Sequence, residues 1–144
     1  MARDFMDWNY CERKYVKSVE VDVSKARSMA EVAESRIIYW KGVRVDDDNV
    51  SLVVEGYYEA MKELLTSLFF AKGLKSSNHL CLFSYFYKMF PDYEKEGRFL
   101  LRMNEFRNGL NYYGEFVDSN WYEGNRLEIL RVIEVLREIV GELV

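Results

Sequence analysis

Asn104, Arg107, Asn111, Gly114 and Asp118 recur at spacings of three and four along one stretch of the chain. Projected on a helix at about 100° per residue, they form one polar line. Beside it runs an apolar stripe of Phe99, Met103, Phe106, Leu110, Tyr113 and Val117. Polar groups that border a core stripe lie where a neighbouring helix shields them from water, so each needs a hydrogen-bonding partner. A guanidinium in that position, Arg107, has the fork geometry to hold a phosphate, or a carboxylate on a partner subunit. The competing reading lets Arg107 snorkel to solvent while Asn104 and Asn111 bond local backbone or water. Gly114 removes a side chain from the same line and admits close approach by another helix, where Ala is preferred by about 1 kcal/mol on propensity alone.

Other reactive residues are sparse. His79 is the one histidine and stands in a helix-capping region, where a structural hydrogen-bonding role competes with a functional one. Cys11 and Cys81 have no C-x-x-C spacing and no histidines around them, so they read as two small buried hydrophobes in a reducing cytoplasm. One His and two separated Cys make no zinc set. Asp46, Asp47 and Asp48 lack the alternation and later Glu of a calcium loop, and read as carboxylates at the positive end of the next helix. Phosphate loops, a nucleophile elbow and an H-E-x-x-H helix are absent. No metal and no cofactor is called for.

These residues must be positioned by helices. The chain has 144 residues, 49% apolar and 31% charged, with eight Gly and one Pro, which suits one soluble helical domain and not a hairpin-rich β domain. A net charge of −4 argues against broad adhesion to nucleic acid or anionic membrane and leaves room for a local basic site. Ser24 caps a first helix with the stripe Ala26, Ala30, Ala33, Ile37 and Trp40, ended by Gly42. A second over 50–72 is apolar on a wide face and stops at Gly73, which makes it the central helix. A short aromatic helix over 78–90, capped by Ser77 or Asn78, ends at Pro91. Two more follow over 93–117 and 125–143, the last with Ile129, Val132, Ile133, Leu136, Val140 and Leu143 facing the core. Residues 1–23 read as an N-terminal extension, in which a short helix competes with the β-branched stretch 16–21. The expected fold is all-α, an antiparallel up-and-down bundle of four to five helices in one domain. No signal peptide and no membrane span is read, and the protein is expected in the cytoplasm.

The segment Arg107-Asn108-Gly109-Leu110-Asn111-Tyr112-Tyr113-Gly114 resembles the signature helix of the HEPN superfamily, small helical bundles of prokaryotic toxin–antitoxin and nucleotidyltransferase-associated systems. Glu55-Gly56-Tyr57-Tyr58-Glu59-Ala60-Met61 resembles the second helix of its archaeal members, and residues 73–82 resemble their link into the third. The resemblance covers roughly residues 24–143. It implies a homodimer in which Arg, and a His four to six residues later, line a shared cleft that cleaves RNA. Asn108 fits the polar slot after the Arg, but the His is replaced: strict spacing falls on Tyr112 and a shorter register on Asn111. Cleavage without metal requires removal of a 2′-hydroxyl proton and protonation of the leaving oxygen. Imidazole, with a pKa of about 6.5, does this near neutrality, whereas Tyr at about 10 is a poor base. Loss of such a group forfeits about 10²–10⁴-fold in rate.

Three readings follow. The first is a non-catalytic or weakly active HEPN-type homodimer, joined at Tyr113 and Gly114, that binds RNA or a nucleotidyltransferase-type partner through Asn104, Arg107, Asn111 and His79. The second is a ribonuclease using Arg107 and Asn108 with Tyr112, Asn111 or His79 as substituted base. The third is a helical interaction module whose polar line is structural.

Overall fold

Six α-helices and one short two-stranded ribbon make up the described part of the protein, a computed structural model that describes residues 4–113 and 117–144, the side chains of 111–113 excepted. In chain order these are α1 (Trp8–Lys14), β1 (Val16–Ser18), α2 (Val23–Lys41), α3 (Val50–Lys72), β2 (Leu74–Ser76), α4 (His79–Met89), α5 (Glu94–Tyr113) and α6 (Ser119–Leu143), with a 3₁₀ turn at Pro91–Tyr93 before α5. The all-α class expected from periodicity is what the chain adopts. No helix of the described residues is long and apolar enough to cross a membrane.

The central element is α3, which touches α2, α4, α5 and α6. Its wide apolar face is fully used: Val53, Val54, Tyr57, Tyr58, Met61, Leu64, Leu65, Leu68 and Phe69 are all buried. Gly73 ends it in the left-handed conformation, φ 71° and ψ 39°, which costs glycine nothing. A Cβ there would also meet the Val19 carbonyl at 2.8 Å. That tight turn throws the chain into β2, which pairs antiparallel with β1 in the register Val16 to Ser76, Lys17 to Lys75 and Ser18 to Leu74.

The ribbon corrects the reading of residues 1–23. The N-terminal segment is woven into the fold: Phe5 stacks on Tyr87 at 4.4 Å, and Trp8 packs against Tyr85. Its helix and its β-branched stretch both form, as α1 and β1. Cys11 and Cys81 are buried, as expected, but they are not free thiols: they form a disulfide between α1 and α4. Residues 70 apart in sequence carry no local sign of pairing; the β1–β2 register brings their helices together.

Three boundaries also move. Asp22, not Ser24, caps α2, its carboxylate accepting the Lys25 N–H at 2.9 Å. Val117 lies outside α5, and Asp118 caps α6 instead of extending the polar line of α5. Helix α6 therefore begins six residues before the expected start, and Leu143 at its far end is exposed. Asn78 caps α4 through its side chain, accepting the Leu80 N–H. Asp46 and Asn49 exchange side-chain-to-backbone hydrogen bonds in the turn before α3, and Asp47 pairs with Ser119 at the start of α6.

Candidate functional site

The polar line of α5 does border the core. Asn104 is buried, and its Oδ1 accepts a hydrogen bond of 2.8 Å from the Tyr58 hydroxyl of α3. Burial pushes the Tyr58 phenol far above its ordinary pKa, with Arg107 pulling it back and Glu59 adding to the rise. It stays a neutral donor at all physiological pH.

One turn on, Arg107 leans over α3. Its Nε lies 3.6 Å from Glu59 Oε1, too far for a hydrogen bond, and is shut off from solvent without a hydrogen-bond partner among the described residues. The other oxygen of Glu59 is engaged by Lys62 at 3.2 Å. Lys62 is nearly buried and also rests over the Tyr58 ring, 5.4 Å from its centroid. Two cations thus share one carboxylate in a partly desolvated setting, where charge acts at longer range than in water.

His79 completes the group from α4. It opens on solvent at the first turn, yet its imidazole is held below the ordinary histidine pKa. Desolvation against the bundle is the leading cause, followed by the charges of Lys62 and Arg107, with Glu59 opposing. The lone histidine therefore stands within electrostatic reach of Arg107, although 28 positions separate them, and it is neutral near pH 7. A neutral imidazole can accept a proton; the paired cations can hold an oxyanion.

Comparison with protein-family models, with curated proteins and with solved structures finds no match. The site therefore rests on its own geometry.

Of the residues expected to act, Asn104, Arg107 and His79 converge on the middle of α3, at Tyr58, Glu59 and Lys62. Asn108 follows on α5 as a half-buried side chain. The side chains of Asn111, Tyr112 and Tyr113, and Gly114 altogether, lie outside the described residues. Tyr58, Glu59 and Lys62 were not singled out for this role in the sequence. Their signal is a buried-face tyrosine followed by a carboxylate and a lysine at i+1 and i+4, which puts both charges at the edge of the core stripe.

Proposed function

We propose that the chain is a HEPN-type helical domain, of the kind used in toxin–antitoxin systems, that works as a homodimer and binds RNA phosphates through Arg107 and Lys62. The observation that carries this reading is the arginine's poor satisfaction. Its only charged partner among the described residues is a carboxylate already shared with Lys62, and its Nε lacks a hydrogen bond. A phosphate at the solvent-facing edge of the guanidinium supplies the missing charge. The resemblance of residues 107–114 to the HEPN signature supplies the expectation of a dimer across α5. RNA as the target puts this work in the cytoplasm, where both sulfurs of the disulfide are closed off from attacking thiols.

The test is fluorescence anisotropy with labelled single-stranded RNA, alongside sizing chromatography. Binding that weakens with salt, falls about tenfold or more in Arg107→Ala and accompanies a dimer at micromolar concentration supports the reading. A monomer, or RNA affinity indifferent to Arg107, overturns it. If Arg107→Ala instead abolishes capture of a nucleotidyltransferase-type partner, the same guanidinium serves a protein carboxylate.

His79 favours a second reading, a metal-independent ribonuclease. A neutral imidazole beside a cation pair has the parts for deprotonating a 2′-hydroxyl while the phosphate is held, and it occupies α4 where the family pattern has it on the Arg helix. Cleavage of labelled RNA in chelator, lost in both His79→Ala and Arg107→Ala with the fold intact by circular dichroism, establishes this activity; intact RNA in the wild type removes it.

A further inference from the structure

A cavity lies away from the Arg107 cluster, where the end of α2, the loop after it, α3 and α6 meet. Its walls are Trp40, Val43, Tyr57, Tyr122, Arg126 and Leu130, and it encloses about 370 Å³. That is within the range of small-molecule sites, which are mostly apolar with a few placed polar groups. Trp40 is fixed in its position: it lies across Gly56 of α3, where any Cβ would overlap the indole. Tyr57 and Tyr122 are buried and lie side by side.

The electrostatics give the cavity a polarity. Burial and the neighbouring Tyr122 push the Tyr57 phenol up to about 12, so it remains a neutral hydrogen-bonding group. Arg126 lines the same cavity, and its charge acts on Tyr57 in the opposite direction. Lys41 at the rim is engaged by Glu134 at 3.8 Å. Glu123, three residues before Arg126 on α6, also lines the cavity. Arg126 forms no ion pair with a carboxylate among the described residues. An aromatic wall, two phenolic hydroxyls and one uncommitted guanidinium select a flat ring with an acidic substituent.

We propose that this cavity binds a small planar aromatic molecule bearing one anionic group, with its ring against Trp40 and its charge on Arg126. The site is independent of the RNA reading, since none of its residues belongs to the Arg107 cluster.

Isothermal titration calorimetry with naphthoate and with its neutral amide, naphthamide, tests the assignment. Naphthoate is expected to bind more tightly than naphthamide. Arg126→Ala should weaken naphthoate about tenfold or more, Arg126→Lys should restore part of that loss, and neither should change naphthamide. Val43→Trp, which fills the cavity, should abolish binding of both, with circular dichroism confirming the helical fold. Absence of naphthoate binding at millimolar concentration overturns the proposal, as does binding that Arg126→Ala leaves unchanged. The arginine variants alter an exposed side chain, so they remain decisive if Val43→Trp does not fold.

Discussion

The hydrogen bond from Tyr58 to Asn104 joins two helices through side chains that are both out of contact with water. Tyr58→Phe leaves the amide oxygen of Asn104 buried without a donor, an expected loss of about 1–3 kcal/mol in urea unfolding. Adding Asn104→Leu removes the stranded group, and the double variant should recover much of that loss. His79 offers a second measurement, since a single histidine gives a single imidazole signal by NMR. Its midpoint is expected below the ordinary value, moving upward in Lys62→Met and less so in Arg107→Ala, in the order in which those charges act on it. The sign of the pH effect follows. The fold favours the neutral ring, so its contribution is complete above the unfolded midpoint and is lost as pH falls through the folded one. At this scale Asn104 and Arg107 were readable because they sit at helical spacing beside an apolar stripe. Glu59 and Lys62 were not, because a surface ion pair and one bridging to another helix look the same in sequence.

Helix α3 accepts Trp40 of α2 only because position 56 has no side chain. Gly56→Ala gains about 1 kcal/mol in helix propensity but forces the indole away, and overpacking of this kind costs about 1–3 kcal/mol. A net loss of stability in thermal or urea unfolding is expected, and it should disappear when Trp40→Ala is combined with it. The same contact explains how the sequence was read: Trp40 was recognised as a core-facing member of its stripe, whereas the glycine opposite it gives no periodic signal. Helix α6 shows the converse. Its first residues, Ser119 to Tyr122 and Gly124, are weak helix formers, and on propensity they belong to a loop. The Asp118 carboxylate accepts the Trp121 N–H at 2.7 Å, and Tyr122 is buried against the core, so capping and packing override propensity. Helix α2 was legible in extent, but its cap is Asp22, two residues before the expected Ser24.

At the level of the molecule, the bundle was legible because α2, α3, α4 and α6 each advertise a buried face by period. The ribbon and the disulfide were not, because both depend on which distant segments meet. The bond closes a long loop, and constraint of the unfolded chain makes such bonds worth about 2–4 kcal/mol. Replacing both cysteines by alanine should lower unfolding stability by that order, and strong reductant should reproduce the change in the wild type but not in the variant. Equal stability with and without the bond would mean that the α1–α4 contact holds by packing alone.

The covalent link has a mechanical corollary. When the two ends of the chain are pulled apart in an optical trap, tension passes from Cys11 directly into Cys81 and bypasses everything between, including the whole of α2 and α3. The central helix can then lose its neighbours without itself being drawn out. Adding reductant to the stretched molecule should release the hidden 70-residue span as a further lengthening of roughly 240 Å, at about 3.4 Å per residue.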